Sequence, residues 1–271
     1  MTSIAPRIAF IGGGNMASAL IGGLLRAGHA PAAIAVVEPF EAQREKLAQQ
    51  LGVRAQAAAD ARLSHAATVV WAVKPQLFAE AAAPCAPFVG GALQVSVMAG
   101  VRCAAIERAS GSARVVRAMP NTPALIGQGV AGLYATPGVD AAARGEVDAL
   151  FAPTGASLWL ADEGQLDAVT ALSGSGPAYV FYFLEAMMQA AAEMGLTEAQ
   201  GRLLAQHTFA GATALAQQSP LAPHELRAQV TSKGGTTLAA LTALEASGVK
   251  AAFVQALHVA RRRAEELGAG A

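Results

Sequence analysis

Charge is scarce in this sequence and balanced where it occurs. Of 271 residues 14% are charged, and 19 basic side chains face 19 acidic ones for a formal net charge of zero. A neutral chain has no electrostatic footprint for a polyanion or an anionic bilayer, so neither a nucleic-acid nor a membrane partner is expected. The tight basic run Arg261, Arg262 and Arg263 suits the end of a helix, where cations complement the dipole or stay solvated. Cysteine is nearly absent. Cys85 and Cys103 have no metal-ligand spacing and cannot frame a chain this long, which points to a reducing, cytoplasmic compartment and to no metal. No apolar run reaches about 18 residues. The opening "MTSIAPRIAF" enters a strand pattern without a basic, apolar leader, so a soluble, non-exported protein is expected.

What is present is apolar residues, 54% of the chain, enough for one large or two ordinary domains. "RIAFIGGGNMASALIGGLLRAGH" reads as strand, glycine turn and helix, the helix closing at Gly28. "AIAVVEP", "ATVVWAVKP", "ALQVSVMAG" and "ARVVRAMPN" follow as strands, with "EAQREKLAQQLG" a helix between the first two. Strands alternating with helices predict parallel βαβ units in an open, doubly wound α/β sheet. From Asp162 onward only helical patterns remain. Thr197 and Gln200 make a T-x-x-Q capping box, and Pro223 suits a first turn. Residues 1–161 are therefore expected to form a dinucleotide-binding domain and 162–271 an all-helical one. Alanine and leucine on several helix faces, as in "FAGATALA", favour a homodimer through the second domain, with close packing inside one chain as the alternative.

Gly12, Gly14 and Ala17 fit G-x-G-x-x-[G/A] between a strand and a helix, the setting in which this motif cradles a pyrophosphate at a helix N-terminus. Glu38, 21 residues beyond Ala17 at the end of the second strand, could accept hydrogen bonds from ribose hydroxyls, which leans toward NADH over NADPH; Arg44 could offset the lean. Ala72–Pro75, Ser96–Gly100 and Met119–Pro123 end successive strands, where open α/β sheets bind ligands, and are expected to form one rim over the cofactor.

In the second half, "ALSGSGPAY" places Ser173–Gly176 before a helix, where free amides could hold an anion or simply enter the helix. Upstream, Asp162, Glu163 and Asp167 open a helix, where acids favour the dipole. "VTSKGGTT", residues 230–237, leads into "LAALTAL". Gly234 and Gly235 relax the backbone, and the first-turn amides could cradle a carboxylate beside the Ser232 and Thr237 hydroxyls; N-capping by a threonine is the competing role.

Taken in order, "FIGGGNMA", "AVKP", "MPNTP", "ALSGSGPAY" and "VTSKGGTT" resemble pyrroline-5-carboxylate reductases over nearly the whole chain. The resemblance implies a Rossmann-type domain, a helical dimerisation domain, NADPH or NADH as cofactor, and reduction of 1-pyrroline-5-carboxylate to L-proline as the last step of proline biosynthesis. It assigns Gly12, Gly13, Gly14, Asn15, Met16, Ala17, Ala72, Val73, Lys74, Pro75, Met98, Ala99 and Gly100 to the cofactor side, with Met98 to Gly100 near the nicotinamide, and Asn121 joins them as a candidate from its place on the strand-end rim. Ser232, Gly234, Gly235, Thr236 and Thr237 match the substrate loop; Ser232 and Thr237 are its candidate catalytic hydroxyls, and Glu163 matches an acidic position near the active site. Lys233 stands where the family usually has proline. Two other readings stay open on sequence alone: a related two-domain hydroxy-acid reductase, and a dinucleotide sensor without catalysis.

Overall fold

The apolar run Ile8–Ile11 forms β1 of the computed structural model, which describes residues 7–269; the leader expectation for residues 1–6 lies outside that range. Gly12 ends the strand, and α1 (Asn15–Arg26), β2 (Ile34–Val37), α2 (Glu41–Leu51) and the two-residue β3 (Ala55–Gln56) follow. Then come β4 (Thr68–Trp71), short helices α3 (Phe78–Ala82) and α4 (Ala86–Val89), β5 (Leu93–Ser96), α5 (Cys103–Ser110) and β6 (Val115–Met119). The described residues make one eight-stranded sheet in the order β3-β2-β1-β4-β5-β6-β7-β8, where β7 is Gly129–Ala135 and β8 is Gly155–Trp159, with α6 (Ala141–Phe151) between them. The chain reverses its direction of winding between β1 and β4, which opens a crevice at their C-terminal ends.

Strands β1, β2, β4, β5 and β6 are buried almost throughout, which explains why they are mostly apolar. Side chains alternate across the sheet: Phe10 joins Leu20, Leu24, Leu150 and Phe151 on one side, while Ala9 and Ile11 join Trp71, Phe78, Val89 and Ile106 on the other. Each fully buried Leu, Ile or Phe contributes about 1.5–3 kcal/mol. In the second layer, Trp71 Nε1 donates to the fully buried Gln94 Oε1 at 2.9 Å, and Gln94 Nε2 donates to the Val89 and Ala92 carbonyls, so this amide is satisfied.

Strands β7 and β8 were not expected, and β7 departs from the parallel pattern by running antiparallel to β6. The link from Met119 to Gly129 holds only a 3₁₀ turn at Thr122–Ile126, too short for the crossover a parallel pair needs. β8 returns to pair parallel with β7 after α6.

After Trp159 every element is helical: α7 (Gln165–Val169), a π turn at Thr170–Gly174, α8 (Gly176–Glu193), α9 (Glu198–Gln218), α10 (Pro223–Gln229), α11 (Thr236–Ala246) and α12 (Val249–Ala269). The capping box forms as its spacing predicts, Thr197 Oγ1 accepting from Gln200 N–H and Gln200 Oε1 from Thr197 N–H. Pro223 opens α10. The chain divides into two compact units, the first running to Gly176 and taking in the chain again from Ala260, the second being Pro177–Val259. In the second unit Phe181, Tyr182, Leu203, Leu204, Leu215 and Val254 are exposed, large apolar side chains of the kind that interaction surfaces carry. Among the described residues no single helix is long and apolar enough to cross a membrane, and no cluster of His, Cys, Asp and Glu could hold a metal.

Candidate active site

The glycine loop is built by close approach. Gly12 has φ +97°, and a Cβ there would stand 2.7 Å from the Ala72 carbonyl oxygen, so only glycine lets the end of β1 pass the end of β4. Gly14, by contrast, has open space where its Cβ would be. It is the N-cap of α1, no side chain caps that helix, and its first turn holds no acid. The first-turn amides and the positive end of the dipole are thus free for an anion. Asn15 and Met16 lie at this opening, while Ala17 is fully buried against the sheet.

Glu38 is 6% exposed and reaches back to the loop, accepting from Gly13 N–H at 2.8 Å through Oε2 and from Phe40 N–H at 3.0 Å through Oε1. Gln43 donates to the Gly13 carbonyl, and Arg44 Nη1 donates to the Glu38 and Pro39 carbonyls at 3.1 and 2.6 Å. The carboxylate is fixed in place with lone pairs to spare for ribose hydroxyls, and Arg44 is engaged by the carbonyls of its own turn. These residues fit a nicotinamide dinucleotide.

Sheet order brings the other strand ends beside this loop. Ala72 and Val73 are half-buried and Lys74 and Pro75 exposed; Val97 N–H donates to the Trp71 carbonyl at 3.0 Å, which sets Met98, Ala99 and Gly100 alongside. Asn121 is a buried member of the rim with its Oδ1 committed to Val130 N–H at 2.9 Å, so it also ties β7 down.

Glu163, just ahead of α7, and Asp167, within it, do more than the dipole role expected of them. Glu163 Oε1 accepts from Cys103 N–H at 2.8 Å, at the uncapped start of α5, and from Arg117 Nη1 at 2.7 Å. Burial works to raise the Glu163 pKa, but the Cys103 amide and the Arg117 guanidinium outweigh it and hold the carboxyl below the usual range. Asp167 accepts from Arg102 Nη2 at 2.8 Å. Sequence reading missed both arginines, whose partners lie 46 and 65 residues away; an arginine inside the strand run "VVRAM" was the available signal, since a strand buried on both faces rarely admits an unpaired charge. The "ALSGSG" segment runs through the π turn into α8: Ser175 N–H donates to the Thr170 carbonyl at 2.8 Å, so it is not free for an anion, and Gly174 lies against the Met119 methyl, which a Cβ would push aside. Burial pushes the Cys85 thiol up to about 11 and, with help from Glu163, the Cys103 thiol up to about 12, so neither is a nucleophile at neutral pH.

In the second unit, "VTSKGGTT" forms a turn closed by Gly235 N–H donating to the Ser232 carbonyl at 3.1 Å, with Gly234 at φ +75°. Gly235 is the N-cap of α11, no side chain caps it, and the first turn holds no acid. The competing role, an N-capping threonine, is therefore not taken up. Ser232 Oγ lies against Gly235, where a Cβ would stand 2.5 Å away, and Thr237 is half-buried in the first turn. The first-turn amides of α11 are thus left without a side-chain cap, the state in which a helix start can take an anion.

Known proteins match both halves. A family model described as pyrroline-5-carboxylate reductase dimerisation matches residues 163–267, and one described as NADP oxidoreductase, coenzyme F420-dependent, matches residues 7–100. A pyrroline-5-carboxylate reductase of Pseudomonas aeruginosa is 45% identical over 97% of each chain. The structure of one from Coxiella burnetii superposes with a TM-score of 0.90 at 35% identity, over 97% of this chain and 99% of that one. A Plasmodium falciparum pyrroline carboxylate reductase, solved with NADP bound, gives 0.87 at 26% identity over 97% and 98%. Identity at this level along both halves, rather than over a shared dinucleotide fold alone, means that the chain belongs to the pyrroline-5-carboxylate reductase family.

Proposed function

We propose that the protein reduces 1-pyrroline-5-carboxylate to L-proline with NAD(P)H, and that it works as a homo-oligomer in the cytoplasm. The observation that carries the reading is the pair of uncapped helix starts: α1 behind Gly14 and α11 behind Gly235 supply one anion cradle for a dinucleotide and a second for a carboxylate. A hydroxy-acid reductase would need an acid beside its carbonyl, and a protonated cyclic imine does not.

Bound NAD(P)H supplies the hydride. The chain's own work is to hold the imine carbon within about 3–3.5 Å of the donor and in line with it. The α11 amides and Ser232 fix the carboxylate, and the Thr237 hydroxyl accepts from the protonated ring nitrogen, which keeps its proton as it becomes the amine of proline. Met98 to Gly100 face the nicotinamide, and Gly12 to Ala17 with Lys74 take the pyrophosphate. Glu38 bonds the adenosine ribose and disfavours a 2′-phosphate by like charge, so NADH is preferred. Each site draws its helical half from the partner subunit.

Thr237→Ala tests the substrate end. The expected result is a kcat lower by about a hundred- to a thousand-fold, the cost of losing one oriented hydrogen-bonding group at a reacting centre, with the dinucleotide Kd unchanged. Turnover equal to the parent would remove Thr237 from the reaction.

A further inference from the structure

Arg102 is the N-cap residue of α5, yet its side chain caps nothing there. Its guanidinium lies instead against Gly268 in the last turn of α12: a Cβ on Gly268 would stand 2.7 Å from Arg102 Nη2, 2.9 Å from Nε and 3.0 Å from Cζ. Three atoms of a planar group at that range mean that it lies over the Gly268 Cα, so that a methyl there would displace the guanidinium. Nη2 also donates to Asp167 on α7, whose side chain is 5% exposed. The same turn of α12 reaches the preceding loop directly. Gly100, at φ +80°, would carry its Cβ 3.4 Å from the Leu267 carbonyl carbon and oxygen. Carbonyls at a helix C-terminus carry partial negative charge, so Arg102 meets favourable charge from both Asp167 and α12.

We propose that Arg102 is a positioning residue for hydride transfer. Clamped between Asp167 and the Leu267–Gly268 turn, it fixes the Met98–Gly100 loop, and through it the face that the nicotinamide meets. This rests on the placement of that loop in the proposed function. A purely structural ion pair would contribute to melting temperature and leave the geometry of the reaction alone; the clamp requires that Gly268 and Arg102 act as one unit.

The test is a double-mutant cycle in the full chain: Arg102→Ala, Gly268→Ala and both together, with Ala99→Leu as a probe of the loop itself. Two quantities are read. One is hydrogen–deuterium exchange of the amides of residues 97–104 in protein without cofactor. The other is kcat, with its isotope effect from dinucleotide deuterated at the transferred position. Each single variant is expected to speed exchange in that segment and to lower kcat about ten-fold, within the hundred-fold that an ångström of misplacement can cost, while raising the isotope effect. In the Arg102→Ala background Gly268→Ala should add nothing, because the new methyl has no guanidinium to displace. Additive effects, or parental exchange and kcat in Arg102→Ala, would overturn the clamp. Should Arg102→Ala fail to fold, Gly268→Ala alone decides by the same two readings. A silent Ala99→Leu in an active enzyme would instead place the nicotinamide away from this loop, and the proposal would fall with that reading.

Discussion

At the scale of single residues, Lys233 shows how geometry explains a departure from the family pattern. The hydrogen bond from Gly235 N–H to the Ser232 carbonyl closes a four-residue turn whose third residue, Gly234, has φ +75°. That is type II geometry, which favours proline at the second position and requires glycine at the third. The Lys233 amide takes no part in the closing bond. Lys233→Pro should therefore stabilise the protein by about 0.4–1 kcal/mol through the unfolded chain, visible as a higher denaturation midpoint with kcat retained; a lower midpoint would show that the turn is not of this type. Gly12 was legible in the sequence because its backbone role has one solution. Glu38 was legible by position, but its bonds to Gly13 and Phe40 were not, since nothing in the local pattern tells a buried carboxylate from an exposed helix opener.

At the scale of elements, Glu163 ties the approach to α7 both to the start of α5 and to β6. Its partner Arg117 has a side chain only 4% exposed, so Glu163→Ala strands a buried charge and should cost about 3 kcal/mol at neutral pH. The Glu163 carboxyl titrates below its unfolded value of about 4.3, so its stabilisation is present above that pH and is lost as pH falls through the lowered folded value. Urea titrations should show the parent losing more stability than Glu163→Ala as pH falls from about 5 to about 3; parallel losses would contradict the pairing. The strands that sequence revealed, β1, β2, β4, β5 and β6, are short, mostly apolar segments in which Val, Ile and Leu recur. β7 escaped because "GVAGLYA" is poor in strand formers, and the reason is tertiary: a Cβ on Gly132 would stand 2.8 Å from Val169 of α7. Packing against a helix chose glycine there, and no local rule records that. The π turn was hidden in the same way, its Gly174 serving Met119 rather than a loop.

At the scale of the whole molecule, sequence had said that the second half carries more apolar surface than a single bundle needs. Phe181, Tyr182, Leu204 and Val254 are exposed in one chain, and this half matches the family's dimerisation model, in keeping with a homo-oligomer. Two uncapped helix N-termini, one in each unit, carry the two anion sites of the proposed function. The most direct test is steady-state oxidation of NADH and of NADPH with 1-pyrroline-5-carboxylate, with the product identified by chromatography. The account predicts substrate-dependent oxidation that yields L-proline, with the higher kcat/KM for NADH. No substrate-dependent oxidation with either dinucleotide would contradict it.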